Sequence, residues 1–312
     1  MRKISVVVLC ALLSASAYAQ APAPARQGGG RSNTPPPPAT ETTAHAIPGV
    51  VAEGTKVTIV KDGLRSSEGP ITMPDGSLLF TEPGASVVHK IDKDGKLSVY
   101  AEDTNRANGL ALDSKGRLLA TTADSIAVLS PTKSVIAKMT SRPNDLVIDK
   151  KDRIWFTMPS DKPSKVYMVP ASGGTPTPMG EAASAHGIAL SPDDKVLYSA
   201  DSSGEYLIAF DVTADGKLTN KRNFGKYDGL NGAKESHADG VAIDSEGRVY
   251  VGIQPGVAVF DKSGKSLGLI PTSQRPQNLA FAGPNKQTLY IATPSCLFSL
   301  KMIAKGYTGR AK

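Results

Sequence analysis

Residues 144–158 read NDLVIDKKDRIWFTM, and this arrangement recurs five more times along the chain. Each copy opens on a polar residue, continues as a short apolar strand, turns through Asp, Gly, Lys or Asn, and ends in a second apolar strand. The other copies are EGPITMPDGSLLFTE (68–82), NGLALDSKGRLLATT (108–122), HGIALSPDDKVLYSA (186–200), DGVAIDSEGRVYVGI (239–253) and NLAFAGPNKQTLYIA (278–292). A spacing of 36 to 53 residues with paired strands and no helical pattern predicts the blades of a propeller.

A third apolar strand follows each pair, and weaker fourth strands such as KLSVYAE (96–102) complete most blades. The sixth copy lacks an outer strand after CLFSLKM (296–302), and KVTIV (56–60) is placed to supply it. We therefore predict one all-β domain over residues 51–305, a six-bladed β-propeller whose ring is closed by an N-terminal strand. Residues 306–312 form a tail, and the extra length at 211–238 predicts a loop over one face of the disc.

The N-terminus has the layout of a secretory signal peptide over residues 1–19. Arg2 and Lys3 precede an apolar run at 4–13, and Ala17-Tyr18-Ala19 offers a small-x-small cleavage site. The run is too short to span a bilayer, so we expect no transmembrane segment and an exported protein, periplasmic or secreted. A buried N-terminal strand or helix is the alternative.

Residues 20–50 are rich in Pro, Gly, Ala and Thr and predict a disordered tether. The prolines at 35–38 are alternatively a docking segment for a partner. Cleavage after residue 19 would leave Cys296 as the one cysteine, which excludes an internal disulfide and a thiolate metal site. The net charge of +7 comes without a dense basic run, so we expect no nucleic-acid partner. We also expect a monomer that binds a small molecule.

The polar residues that open the six copies should share one height in the propeller, because its innermost strands line the central channel. They are Glu68, Asn108, Asn144, His186, Asp239 and Asn278. Carboxylate and amide oxygens are the ligands that Ca²⁺ prefers, and a Gly follows four of the six residues, where it would let the backbone approach a bound group. The alternative is that these side chains bind only the next blade or channel water.

Six stretches, in this order and spacing, resemble the SMP-30/gluconolactonase/LRE-like propellers, which are related to paraoxonases and diisopropylfluorophosphatase. They are SEGP (67–70), RPNDLVID (142–149), SPDDKVLYSAD (191–201), HADGVAIDSEGRVYVG (237–252), GVAVFDKSGKSLGLI (256–270) and RPQNLAFAGPNKQTLYIA (275–292). The last two look most like the bacterial gluconolactonase branch, and the resemblance covers about residues 57–302.

The resemblance implies a metal site formed by Glu68, Asn144 and Asp239, with His186 at a fourth position that is usually Asn in the family. It also implies that Arg142 and Asn108 bind substrate oxygens and that Asp239 is the general base. Because imidazole favours Zn²⁺, Mn²⁺ or Fe²⁺ over Ca²⁺, calcium is the default ion and these others stay open.

Two residues of the fourth copy have alternative roles. His186 is either a ligand or an unligated acid or base. Asp201, which follows the second strand of that copy, either contacts substrate and orients the site or joins strands by a hydrogen bond. Of the other histidines, His237 lies two residues before Asp239, whereas His45 in the tether and His89 in an outer strand are not candidates.

The expected activity is hydrolysis of a lactone or a related sugar-like ester. The ion would polarise the carbonyl, and Asp239, or alternatively His186, would activate water. A non-catalytic ligand- or protein-binding propeller and a phosphotriesterase or other esterase of the same fold are the alternatives.

Overall fold

The computed structural model describes residues 36–233 and 235–312. The predicted signal peptide, the tether residues 20–35 and Lys234 lie outside the described residues. Two strands precede the first repeat, β1 (Thr42–Thr43) and β2 (Lys56–Asp62). No helix in the described part of the chain is long and apolar enough to cross a membrane.

The repeats form six antiparallel sheets, as predicted, and each sheet is one blade. Blades 1 and 2 contain β3 (Glu68–Thr72), β4 (Leu78–Glu82), β5 (Val87–Ile91), β6 (Leu97–Ala101), β7 (Leu110–Leu112), β8 (Leu118–Thr121), β9 (Ser125–Ser130) and β10 (Ser134–Lys138). Blades 3 and 4 contain β11 (Leu146–Ile148), β12 (Arg153–Met158), β13 (Lys165–Pro170), β14 (Thr177–Glu181), β15 (Ala185–Leu190), β16 (Val196–Asp201), β17 (Tyr206–Val212) and β18 (Leu218–Lys226). Blades 5 and 6 contain β19 (Val241–Ile243), β20 (Val249–Ile253), β21 (Gly256–Phe260), β22 (Ser266–Pro271), β23 (Asn278–Ala282), β24 (Thr288–Ala292) and β25 (Cys296–Lys301).

The ring closes where the N-terminal strand completes blade 6. β2 pairs antiparallel with β25, with Thr58 opposite Ser299 and Ile59 opposite Phe298. The innermost strands β3, β7, β11, β15, β19 and β23 contact one another in sequence, and β23 contacts β3. This confirms the predicted six-bladed propeller closed by an N-terminal strand. A short 3₁₀ helix at Pro284–Lys286 lies in the turn of blade 6.

The core lies between neighbouring blades, because each strand presents apolar side chains to both faces of its sheet. Val147 and Trp155 of blade 3, for example, pack in one cluster with Ile188, Leu197 and Phe210 of blade 4. Burial of each such side chain contributes about 1.5–3 kcal/mol.

Residues 36–50 differ from the disordered tether that composition predicted. Ala44, Ile47 and Val50 are buried in the cluster that joins blades 5 and 6. Thr42 Oγ1 donates a hydrogen bond to Pro271 O (2.6 Å), and Gln274 Nε2 donates one to Pro37 O (2.6 Å). The boundary predicted at residue 51 is therefore too late: a few apolar residues within a Pro- and Thr-rich segment suffice to anchor it.

The long 211–238 stretch is only partly a loop. Its first half continues β17 and forms the nine-residue strand β18, so that blade 4 has an extended outer hairpin. The remaining residues pass beside the start of β19, where His237 N donates to Ser202 O (3.0 Å). The predicted loop is thus confined to about residues 227–238.

Candidate functional site

Five of the six predicted ring residues occupy equivalent positions at the start of the inner strands. The backbone N of Asn108, Asn144 and Asp239 donates to the second strand of its own blade, with N···O distances of 2.8, 2.9 and 2.8 Å. A threonine of the preceding blade then bonds the ring carbonyl oxygen of the next: Thr81 bonds Asn108 O (2.7 Å) and Thr121 bonds Asn144 O (2.6 Å). These bonds between blades fix the height of the ring.

The sixth position belongs to Gln277 and not to Asn278. Gln277 N donates to Ala292 O (2.7 Å), which is the bond that Asn144 N and Asp239 N make in their blades. Asn278 lies one residue farther along β23, level with Asp145 and Gly240. The prediction of Asn278 was wrong because two adjacent amide side chains satisfy the same polar pattern.

The glycines after the ring residues serve close packing of neighbouring strands. A Cβ atom on Gly187 would lie 2.7 Å from the Cα of Gly240, and one on Gly240 would lie 2.4 Å from the Cα of Asn278. The corresponding position in blade 3 holds Asp145, whose side chain is 1% exposed. A charged residue therefore lies directly after the ring, on the interior side of the channel.

Glu68, Asn144 and Asp239 lie near one another, since the charge of Asp239 raises the pKa of Glu68 and Asn144 lowers the pKa of Asp239. Asn108 Nδ2 donates to Asn144 Oδ1 (2.7 Å), and Gln277 Nε2 donates to Glu68 Oε1 (3.1 Å). Among the described residues, the buried atoms Asp239 Oδ1 and Asn108 Oδ1 have no hydrogen-bond partner. Since a buried carboxylate oxygen rarely stays unpartnered, this donor set fits a hard divalent cation.

The electrostatics of the ring agree with this fit. Burial, together with the charges of Asp239 and Asp145, raises the pKa of Glu68 to about 8. Burial and Asp145 raise the pKa of Asp239 to about 6, although Arg275 and Asn144 oppose the rise. Carboxyl groups that resist ionisation in this way become stable anions when a cation joins them.

The candidate ligand set depends on amide oxygens as much as on charged groups. Within residues 36–233 and 235–312, no three or more His, Cys, Asp or Glu side chains form a group that could hold a metal on their own. Asn144 would therefore have to contribute its amide oxygen, which is compatible with Ca²⁺ and less so with softer ions.

His186 takes its predicted place in the ring. Its Nδ1 lies 3.1 Å from Ser184 O. Because a carbonyl oxygen can only accept, Nδ1 carries the proton in the neutral ring and Nε2 keeps its lone pair. Burial lowers the pKa of His186, which favours this neutral form.

Asp201 is linked to His186 through Ser184. Its Oδ1 accepts hydrogen bonds from Ser184 N (3.1 Å) and Ser203 N (3.2 Å). These bonds hold the backbone whose carbonyl oxygen binds His186, so Asp201 joins the ends of β15 and β16. This is the strand-joining arrangement that the sequence offered as the alternative to substrate contact.

Arg142 and Arg275 flank the ring from blades 3 and 6. Arg142 donates to Arg106 O (3.2 Å). Arg275 donates to Asp239 Oδ2 (3.3 Å) and to His237 O (3.3 Å). His237 itself has a side chain 48% exposed and lies outside the ring.

Three contributors to this site escaped the sequence analysis: Arg275, Gln277 and Asp145. A signal for the first two was present, because RPQ at 275–277 repeats RPN at 142–144 and places an arginine two residues before the ring position in both blades. Asp145 replaces the Gly that four of the other repeats have at its position, and nothing in the sequence indicated the partner of its charge.

A cavity of about 290 Å³ lies along the loop that precedes β19. Leu230, Glu235, His237 and Pro255 are among its lining residues, which include no member of the ring.

Comparison with known proteins agrees with this geometry. The family model described as the SMP-30/Gluconolactonase/LRE-like region matches residues 66–295. A gluconolactonase of Zymomonas mobilis is 23% identical over 292 residues, which cover 79% of this chain and 81% of that protein.

Two solved structures share the fold. A gluconolactonase from Xanthomonas campestris has a TM-score of 0.73 and 25% identity, covering 86% of this chain and 99% of that one. A calcium-binding protein, regucalcin, from Agrobacterium tumefaciens has a TM-score of 0.68 and 20% identity, covering 80% of this chain and 94% of that one. The chain thus belongs to the SMP-30/gluconolactonase/LRE-like family, whose gluconolactonase members support a lactonase-type hydrolase.

Proposed function

We propose that this protein is a lactonase that depends on one divalent cation, with Ca²⁺ as the default ion. The observation that carries the proposal is the buried, unpartnered Oδ1 of Asp239 beside Glu68 and Asn144 at the channel mouth. The gluconolactonase relatives supply the class of substrate, a cyclic ester of a sugar acid.

Glu68, Asn144 and Asp239 would hold the ion, and His186 would have to move closer to them to add Nε2 as a fourth ligand. When bound, the ion supplies positive charge that polarises the ester carbonyl and stabilises the developing oxyanion. Asn108 in the ring and Arg142 beside it would bind substrate hydroxyl groups.

Asp239 acts as the general base, and Arg275 orients it by holding Oδ2 at 3.3 Å. Asp239 accepts a proton as a water oxygen bonds to the carbonyl carbon. The bond between that carbon and the ring oxygen then breaks, and the proton passes to the leaving oxygen. The product is an open hydroxy acid, so that atoms and charge balance.

Metal analysis of the purified protein, with lactone hydrolysis measured before and after chelation, tests the proposal. We expect activity to vanish with the ion and to return when Ca²⁺ is added back. Full activity after complete metal removal would contradict it. A protein that binds the ion and hydrolyses neither lactones, other esters nor phosphotriesters would be a binding propeller instead.

Asp239→Asn tests the base. We expect kcat to fall by at least about 100-fold, because general-base catalysis typically contributes that much. Asp228→Asn, which makes the same change in the exposed part of the adjacent loop, is the matched control and should keep its rate. Near-parental turnover in Asp239→Asn would transfer the base role to His186.

We also propose that the protein is exported, on the basis of Arg2, Lys3, the apolar run at 4–13 and the Ala17-Tyr18-Ala19 site. Intact-mass measurement of the protein from its native compartment should show loss of residues 1–19. A cytoplasmic protein that retains Met1 or Arg2 would refute this.

A further inference from the structure

Residues 306–312 lie across the end of the channel opposite the ring. This end is formed by the turns between the first and second strands of the blades. The segment contacts five blades. Gly306 forms a β-bridge with Asp244 and Tyr307 N donates to Ile243 O (3.2 Å), both in blade 5, and Tyr307 Oη donates to Pro192 O of blade 4 (3.0 Å). Arg310 Nε donates to Ile148 O of blade 3 (3.3 Å), Thr72 N of blade 1 donates to Ala311 O (2.7 Å), and Lys286 Nζ of blade 6 donates to Tyr307 O (2.8 Å). The segment therefore covers this end of the channel.

Two buried cations secure the segment. Lys286 Nζ donates to the carbonyl oxygens of both Tyr307 and Arg310. Arg310 forms an ion pair with Asp194 and donates to Leu190 O (3.0 Å). The carbonyl and guanidinium groups of the segment are thus bonded to different blades.

This anchoring carries Lys312 into the channel, where its ammonium group forms an ion pair with Asp145. The side chains are 7% and 1% exposed. Asp145 Oδ1 accepts from Leu146 N (3.0 Å), and Oδ2 accepts from Ile188 N (3.4 Å) as well as from Lys312. Lys312 is therefore the charged partner of a carboxylate that water hardly reaches.

Asp145 acts electrostatically on the candidate metal site. It follows Asn144 directly in the chain, and its negative charge contributes to the raised pKa of both Glu68 and Asp239. Three carboxylates, those of Glu68, Asp145 and Asp239, thus lie at or next to the ring. Two of them have cationic partners: Arg275 for Asp239 and Lys312 for Asp145.

We propose that Lys312 is a built-in counter-cation that cancels the charge of Asp145 and so sets the affinity of the neighbouring site for a divalent ion. The proposal rests on the proposed function, since it concerns the same metal site. Without Lys312 the unpaired Asp145 would attract the ion more strongly, whereas without Asp145 the Lys312 charge would repel it.

A charge cycle of Lys312→Met, Asp145→Asn and the double variant tests this by calorimetric titration of metal-free protein with Ca²⁺. The titration is run at pH 8.5 and low ionic strength, where the carboxyls of the site are ionised. We expect Lys312→Met to bind about 3- to 10-fold more tightly, Asp145→Asn to bind more weakly by a similar factor, and the double variant to match the parent. Lys312→Gln, which can still donate to Asp145, should behave like Lys312→Met.

Thermal unfolding of the metal-free variants gives a second readout that is independent of metal and activity. If the pair forms, the unfolding midpoints of the two single variants should fall by a summed amount larger than the fall in the double variant. The reason is that removal of both partners leaves no unpaired buried charge. Lys305→Met, which removes an exposed lysine of the same chain end, is the matched control and should change neither the affinity nor the midpoint.

The outcomes separate the two proposals. If the parent binds Ca²⁺ and Lys312→Met binds it equally well, the role of Lys312 is refuted and the proposed function stands. If the parent binds no divalent ion, the proposed function fails, and the effect on affinity fails with it. Coupled midpoints in the metal-free cycle would then still report the Lys312–Asp145 ion pair, and additive midpoints would refute the pair as well.

Discussion

Glu68 and Asp239 must both lose their protons before the ring can hold a cation. Their pKa values in the metal-free protein, about 8 and about 6, lie above the ordinary values for these side chains because both are buried together near Asp145. Raised carboxyl pKa values stabilise the folded protein at low pH, and this stabilisation is lost as the pH rises through 6 and 8. Bound metal would therefore matter most for stability at neutral and alkaline pH.

The same shifts predict that metal affinity rises with pH. Between pH 6 and 8 one proton leaves Glu68 for each ion bound, so affinity should rise about tenfold per pH unit and level off above pH 8. Calorimetry in buffers of different ionisation enthalpy counts the released protons. Glu68→Gln should abolish the slope in this range, and an affinity that is flat from pH 6 to 8 in the parent would contradict the assignment.

The choice of ion depends on whether His186 is a ligand. If Nε2 is a ligand, His186→Asn should lower Zn²⁺ affinity by at least about tenfold and leave Ca²⁺ binding as strong or stronger, because an amide oxygen is a harder ligand than imidazole. Competition titration with the two ions measures the ratio. His237→Asn, at the half-exposed histidine outside the ring, is the control. An unchanged ratio would mean that His186 does not bind the ion.

At the scale of the element, three hairpin turns share a buried Asp–Arg pair four residues apart. The pairs are Asp113 with Arg117, Asp149 with Arg153 and Asp244 with Arg248. In each turn one carboxylate oxygen also accepts two backbone N–H groups. The Asp thus defines the turn, and the Arg neutralises it.

Asp149→Ala should lower the free energy of unfolding by about 3 kcal/mol, because it orphans the Arg153 guanidinium and the Trp155 Nε1–H, which lies 3.0 Å from Asp149 Oδ2. Asp261→Ala is the matched control, since Asp261 caps Ser263 N and Lys265 N in a turn that lacks a buried arginine. Its loss should be about 1 kcal/mol. Denaturant unfolding measures both, and equal losses would show that the buried pair adds nothing to the turn.

The elements were predictable where a pattern repeats. Alternating apolar residues and Asp-Gly turns located the blades. KVTIV (56–60) has the residue types of a strand and lies before the first repeat, so it could be assigned as the outer strand that the sixth copy lacks. Gln277 and Asn278 could not be told apart by type, because only the hydrogen-bond register distinguishes them. The ion pair of Lys312 with Asp145 joins residues 167 positions apart. The period of the repeats does not predict such a contact, because Lys312 lies outside them.

At the scale of the molecule, both chain ends complete the propeller. The N-terminal segment supplies β1 and β2 to blade 6 and buries Ala44, Ile47 and Val50 between blades, whereas the C-terminal segment covers one end of the channel. The end of the channel opposite the site is thus covered by residues far from the site in sequence. A change at the C-terminal end can still reach the site through a direct contact, the ion pair of Lys312 with Asp145.

Ring closure predicts that two N-terminal truncations behave differently. A chain that begins at Pro36 keeps both strands and should unfold at the parental midpoint. A chain that begins at Gly63 loses β2, which exposes the edge of β25 and removes the buried Val57 together with Ala44, Ile47 and Val50. Four such side chains represent about 6 kcal/mol, which corresponds to a midpoint lower by roughly 15 °C for a domain of this size. Calorimetry of the two truncations measures the difference; equal midpoints would show that the propeller is stable as an open ring.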